Sequence, residues 1–367
     1  MNVPFSRSNQ WSVFALLTTL TVIVGCASSS QHQGAEKEGT FQKAITEKTP
    51  NKPEDKPVRE SAVHAESGVQ FVSGDLDNAL EMAKKKNQNI LVEVWAAWCP
   101  PCRAQKAEVF DKEAGLALTR KLVSWQMDFD VDKNRPLVEK WRILNLPTVL
   151  FLRPDGSEIG RIEGYEDKER FIAEAEQLAL GEDELPKWQA LLKERQESPL
   201  AERTETMVEV GHRLLVRGDQ QGRILLEEVV AGDVKHEWES AQQALFLLGR
   251  YHSRVKQDFK TGELVWRSLH DGYPTGKYVI TAAWWTAGAM SEQGQAEQAV
   301  AFLVDRTHGI PSADDIDLVV SFVAKSKLGV DKAKALLDSV DDKIVKKAQR
   351  EEWEKTLTAI AEAKPVE

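Results

Sequence analysis

The chain has 367 residues, 42% of them hydrophobic, and a formal net charge of −10. That is enough apolar material for one or two sizeable cores, and the length predicts two domains. The acidic balance excludes a nucleic-acid binder, because no Lys/Arg cluster is dense enough to overturn it; the longest basic run, Lys84-Lys85-Lys86, reads as the polar end of a helix.

The N-terminus reads as a targeting segment, and residues 1–25 are set apart as a signal peptide. Arg7 precedes an apolar stretch from Trp11 to Gly25 that is too short for a comfortable membrane span of about twenty residues. It ends in Ile23-Val24-Gly25-Cys26, which resembles the lipobox of bacterial lipoproteins. The resemblance implies cleavage before Cys26 and a lipid on the new N-terminal cysteine, hence a membrane anchor; the other reading is a short anchor helix with an incidental cysteine. Ala27 in place of an aspartate implies the outer membrane by the sorting pattern of enteric bacteria. Residues 26–66, with Pro50, Pro53 and Pro57 and almost no apolar side chains, cannot bury a core. They are expected to be a disordered tether spanning about 35 Å.

From Val69 onward strands and helices alternate. Val69–Val72 predicts a short strand, Leu76–Lys86 a helix with Leu76, Leu80, Met82 and Ala83 on one face, and Ile90–Trp95 a buried strand. Trp98-Cys99-Pro100-Pro101-Cys102 then opens a helix to about Phe110. Leu122–Phe129 predicts a strand, Arg135–Trp141 a helix, Thr148–Leu152 a strand, Ser157–Ile162 a strand after the Asp155-Gly156 turn, and Lys168–Leu180 a closing helix. The fold class is therefore α/β, a mixed sheet with helices on both faces.

Cys99 and Cys102 carry the chemistry. Two cysteines at this spacing, where a strand gives way to a helix, form a dithiol that can close into a disulfide and reopen. The unpaired N–H groups and the dipole at the helix N-terminus favour the thiolate, and Pro100 and Pro101 fit a first turn that has no N–H bond to lose. The competing reading, half a zinc site, needs two further ligands. The third cysteine is Cys26, and no histidine lies between Val69 and Leu180, so no metal site is expected and the redox reading prevails.

Residues 67–182 resemble the thioredoxin family in more than the dithiol. Trp95-Ala96-Ala97-Trp98 stands as the family's Trp-Ala-x-Trp, Leu146-Pro147-Thr148 as its cis-proline loop, and Gly164 as the glycine after the last strand; the spacing from Asp132 to Pro147 also fits. The similarity is to the exported branch, such as the soluble domain of membrane thiol–disulfide interchange proteins. It implies that Cys99 is the exposed nucleophile and Cys102 the resolving thiol. Glu93, six residues before Cys99, would be the buried acid that handles the resolving thiol's proton, with a raised pKa; the alternative is an edge-strand surface residue. Pro147, if cis, would face the dithiol and offer its backbone to an extended substrate, and otherwise is an ordinary strand-start proline. Trp98, Pro100 and Pro101 would line the substrate side. Strong oxidases of the family carry a histidine where Pro101 stands, so the resemblance implies a reductase or isomerase. The departure is Asp128, where many relatives place a lysine near the buried acid.

Residues 183–367 are helical in pattern, with turn points at Gly218-Asp219, Gln257-Asp258, Gly294-Gln295 and Gly329-Val330. The recurrence at about 35–40 residues predicts helical-hairpin repeats, and Ala299, Leu303 and Pro311 resemble a tetratricopeptide repeat, echoed by Leu248-Gly249 and Pro274. Such a solenoid would offer a protein partner a concave surface. Trp266, Trp284 and Trp285 are candidates to line it or to fill the interhelical core. The expected protein is a lipid-anchored envelope disulfide reductase with no cofactor beyond the Cys99–Cys102 disulfide. Its partners would be a disulfide-containing envelope protein and a separate membrane electron donor. The alternatives are a partner-binding scaffold with a secondary dithiol, or a copper-handling dithiol protein.

Overall fold

A computed structural model of the protein describes residues 68–306, 312–341 and 345–362. The signal peptide, Cys26 and the tether lie outside the described residues, as does Pro311. Four strands form one sheet: β1 (Ile90–Trp95), β2 (Val123–Asp128), β3 (Thr148–Leu152) and β4 (Glu158–Glu163). Their order is β2-β1-β3-β4; β1 runs parallel to β2 and antiparallel to β3, and β3 pairs antiparallel with β4. Because both faces are covered, β1 and β3 read as near-continuous apolar runs instead of alternating.

Alternate residues of β1 serve two cores. Ile90, Val92 and Val94 pack with Leu76, Ala79 and Ala83 of helix α1 (Leu76–Lys86) and with Val138 and Trp141 at helix α4 (Arg135–Lys140). On the opposite face Leu91 packs with Val149, Phe151 and Ile159. Val109 and Phe110 join that face from the active-site helix α2 (Pro100–Gln105) and its π-helical extension Lys106–Phe110, and Phe171, Ala175 and Leu178 join it from α5 (Lys168–Ala179). The predicted Val69–Val72 strand is reduced to a single bridge from Phe71 to Ser124. A short helix, α3 (Glu113–Thr119), appears where none was predicted. Its cap is Lys112, which makes no side-chain capping bond, and Gly115 breaks its pattern, so it carries no start signal.

Ten helices follow. They are α6 (Leu185–Glu194), α7 (Leu200–Arg217), α8 (Gln220–Gly232), α9 (Glu239–Arg250), α10 (Phe259–Gly272), α11 (Val279–Glu292), α12 (Ala296–Asp305), α13 (Ala313–Ser326), α14 (Val330–Asp338) and α15 (Lys347–Glu362). A π-helical turn, Tyr251–Lys256, extends α9. Gly218, Gln257, Gly294 and Gly329 all have positive φ and all sit at helix boundaries, where the chain reverses. Helices α7 and α8 cross closely at Gly211 and Gly222; a Cβ on Gly222 would stand 2.2 Å from the Leu215 nitrogen. Two cores result, one centred on α7 to α11 and one on α11 to α15, with α11 giving Ala282 to the first and Ala283, Ala287 and Met290 to the second. Trp266 is fully buried, its Nε1 donating to Ser253 Oγ at 2.9 Å, and so belongs to the interhelical core. Trp285 stacks on it, and Trp284 meets Phe322 edge-on.

The described residues form one compact unit. Arg217 of α7 donates to the carbonyl of Ile159 on the edge strand β4 and to Asp183, both at 2.9 Å, while His212 pairs with Glu163. A helix thereby covers an edge that would otherwise offer free backbone groups. Leu144, in the loop before β3, is fully buried as part of the first helical core.

Candidate active site: the dithiol at the head of α2

The dithiol sits where the sequence pattern puts it, between the end of β1 and the start of α2. Cys99 is the N-cap residue in extended backbone conformation, with Pro100 and Pro101 in the first turn. Its Sγ accepts the Cys102 N–H at 3.2 Å, so a sulfur takes the place usually held by a Ser or Asp oxygen. In the reduced protein that N–H and the helix dipole would both favour a thiolate at Cys99. Cys99 and Cys102 are disulfide-bonded, with Cα atoms 5.3 Å apart.

The expected exposed nucleophile needs correction. Cys99 is only 2% exposed in this disulfide state. Its sulfur is bonded to Cys102, and Trp95, Phe129 and Leu146 pack against the Ala96–Cys99–Cys102 group. The residues that face solvent are Trp98, 46% exposed, and Pro100, with Pro101 partly covered. Trp98 is held at the rim: its Nε1 donates to Asp130 Oδ2 at 2.7 Å. Burial pushes the Asp130 carboxyl above its usual range, with the Trp98 hydrogen bond opposing.

Glu93 is 1% exposed, on the same face of β1 as Leu91, under the segment that continues α2. Burial pushes its carboxyl up to about 7, against the stabilising hydrogen bond from Gln126 and the more distant Lys106 cation. Gln126 lies directly across from Glu93 in the parallel β1–β2 register and donates Nε2 to Glu93 Oε2 at 2.9 Å. Gln126 was missed from sequence; the available signal was a polar residue inside the apolar run Val123–Met127. A neutral amide thus stands beside the acid, while Asp128, at the end of β2, turns its carboxylate to the Asp130 N–H at 2.9 Å. An acid that titrates near neutrality inside a dry site can take up and return a proton at physiological pH.

The Leu146–Pro147 peptide bond is cis, so the strand-start alternative for Pro147 falls. Pro147 is buried, its carbonyl accepts the Gly164 N–H at 2.8 Å, and its neighbour Leu146 packs against the dithiol. The loop is fixed at its start by Leu144, buried in the helical core, and by Arg254 of the π-helical turn, whose Nη1 donates to the Leu144 carbonyl at 3.0 Å. Nothing in the local sequence signals Arg254. Among the described residues no group of three or more His, Cys, Asp or Glu side chains converges as a metal site, and no helix is long and apolar enough to cross a membrane.

A family model described as a thioredoxin-like domain matches residues 76–179. A thioredoxin of Echinococcus granulosus is 34% identical over 101 residues, which cover 27% of this chain and 84% of the relative. A thioredoxin of Bacillus subtilis is 35% identical over 82 residues, covering 22% of this chain and 72% of the relative. The thiol:disulfide interchange protein DsbD 2 of Pseudomonas aeruginosa is 29% identical over 103 residues, covering 27% of this chain and 18% of the relative. The chain therefore spans less than a fifth of the length of that interchange protein.

Proposed function

The chain belongs to the thioredoxin family, and from that premise we propose that it is an extracytoplasmic reductase of protein disulfides, tethered to the cell envelope through a lipid on Cys26. The observation that carries the reading is the Cys99–Cys102 pair capping α2, with Glu93 buried on the face of β1 under that helix's continuation.

In the reduced protein the Cys99 thiolate attacks one sulfur of a substrate disulfide. A bond forms between Cys99 and that sulfur, the substrate disulfide breaks, and its other sulfur leaves and takes up a proton. Cys102 gives its proton to the Glu93 carboxylate and attacks the Cys99 sulfur. The Cys99–Cys102 bond forms, the mixed disulfide breaks, and the second substrate thiol departs with the proton that Glu93 returns. Two electrons and two protons pass to the substrate, and a separate membrane-bound dithiol donor restores the pair. Pro101 favours this direction, because no cation stands there to stabilise the reduced thiolate as a strong oxidase requires. The leader, the lipobox-like Ile23–Cys26 and the polar tether support the envelope location. The division at residues 182 and 183 separates the redox part from a helical part, tetratricopeptide-like in spacing, that shapes the surface beside it.

The test is Cys102→Ala expressed in the native cell. It should accumulate a mixed disulfide through Cys99, visible as a band that reductant removes and that Cys99→Ser abolishes. Cells that yield no such species would sink the proposal.

A further inference from the structure

The π-helical turn of the helical region brings Arg254 to the dithiol site, with Arg250 behind it at the end of α9. Arg254 lies 5.1 Å over the ring of Phe129, and Phe129 itself packs against the Ala96–Cys99–Cys102 group. The guanidinium also bonds the carbonyl of Leu144, two residues before the Leu146–Pro147 peptide. One side chain from the far half of the chain therefore touches two of the loops that frame the disulfide. The turn is fixed in place by Arg135, whose Nη2 donates to the carbonyls of Arg254 and Val255. Behind Arg254, one helical turn earlier, Arg250 stacks on Trp285 at 4.6 Å and on Phe246 at 5.1 Å, and Arg254 also approaches Trp285 at 5.4 Å.

Asp130 and Glu163 attract Arg254, and Glu163 attracts Arg250, but both carboxylates have other partners. Among the described residues no acid forms an ion pair with either arginine; Asp130 holds the Trp98 indole and Glu163 pairs with His212. Among the described residues one of the five donors on Arg254 is used, and the buried Arg250 Nε has no hydrogen-bond partner. Burial pushes Arg254 down to about 10 and Arg250 well below its usual value, with the Arg254 cation adding to the effect on Arg250. A guanidinium keeps its proton in a protein, so this marks desolvated charge, which Asp130 and Glu163 at Arg254 and Glu163 at Arg250 offset only in part. Buried charges are ordinarily paired, so Arg254, seated on the loops that frame the disulfide and in no ion pair among the described residues, is placed to receive an incoming anion.

We infer that Arg254, backed by Arg250, is the specificity-determining group of the exchange site and binds a carboxylate that the substrate polypeptide carries close to its target disulfide. The inference rests on the exchange reading. A substrate segment that reaches Cys99 across the 144–147 loop passes the guanidinium, and a Glu or Asp on it would meet free donors in a low-dielectric setting, where charge-assisted bonds are strongest. The general negative charge of the protein works against acidic segments, so selection for them must come from this local cation.

The test uses three short extended peptides, identical except that the residue beside the disulfide-bonded cysteine is Glu, Gln or Lys. The kcat/KM of the reduced protein should favour the Glu peptide over the Gln peptide by about tenfold, mainly through KM, and high salt should erode the ratio. Versions with Ser in place of the cysteine should bind the oxidised protein in the same order. Arg254→Gln should bring the ratio near one, and Arg254→Glu should turn it toward the Lys peptide, which an unfolded variant cannot do. Equal treatment of the Glu and Gln peptides by the natural protein, or a preference that survives in Arg254→Gln, overturns the inference. If no peptide is reduced but the Ser versions keep the Glu preference and Arg254→Glu inverts it, the carboxylate site stands and the exchange reading falls.

Discussion

The sheet region and the helical region build one site by different means. In the sheet region the reacting groups come from neighbouring positions: Cys99 and Cys102 follow directly on β1, and Glu93 lies within it. In the helical region the contributing residues reach the site only through docking. Leu144 is a loop residue of the first region buried in the core of the second, and Arg254 is a helical residue seated on the loops of the first. The difference teaches that the cis-proline loop is held from both sides. Its strand end is fixed by β3 and its lead-in by helices that contribute no sulfur chemistry.

The comparison can be broken or sharpened by substitution, and the largest effect should come from the sulfur. Cys99→Ser should reduce disulfide exchange to the uncatalysed level, read with a peptide disulfide, while thermal unfolding shows a folded protein; residual turnover in this variant would move the chemistry elsewhere. Leu144→Ala should cost about 2–5 kcal/mol, as core truncations do, because its side chain is fully buried. Denaturant unfolding should show the loss in both regions in a single transition; a loss confined to the helices would uncouple them.

Glu93→Gln tests the buried acid. Its folded pKa of about 7 is raised above the ordinary 4.5, so the folded protein keeps a proton that the unfolded chain has released. The stability linked to this group is complete below about pH 4.5 and is lost as pH rises through 7, on the order of 3 kcal/mol in all. The natural protein should therefore lose urea resistance across that window while Glu93→Gln does not, and parallel curves would show that the acid does not titrate there. Exchange by this variant should slow by roughly a hundredfold and lose its dependence on pH near 7. The smallest effect is expected from Arg217→Met, which strips the donor from the Ile159 carbonyl on the covered edge of β4. A cost of about 1–2 kcal/mol should appear in denaturant midpoints.

Much of the sheet region was legible because its signals are local. The β3 range agrees with its apolar run, and β1 and α1 with theirs, since a buried strand and a capped amphipathic helix each leave a mark within a few residues. The Asp75 side chain caps α1, and Lys84, Lys85 and Lys86 close it. Failures came where an element is short or irregular. The π-helical run Lys106–Phe110 and the uncapped α3 have no pattern to read, and the Val69–Val72 strand makes one bridge instead of a ladder. In the helical region the turns were visible through Gly218, Gln257, Gly294 and Gly329, yet the burial of Trp266 was decided by the close approach of Gly249 to its ring.

By itself the sequence determined that a dithiol opens a helix after a buried strand, that an acid sits within that strand, and that helices follow. These are matters of spacing along a few residues, where backbone geometry leaves little choice. Tertiary structure alone decided that Gln126 would partner Glu93 and that Leu144 would anchor in the helices. It also decided that Arg254 would lie over Phe129 and bond a carbonyl 110 positions away. The reason is physical: such contacts depend on strand register and on which helix face meets which loop, and these are settled by packing the whole molecule at once.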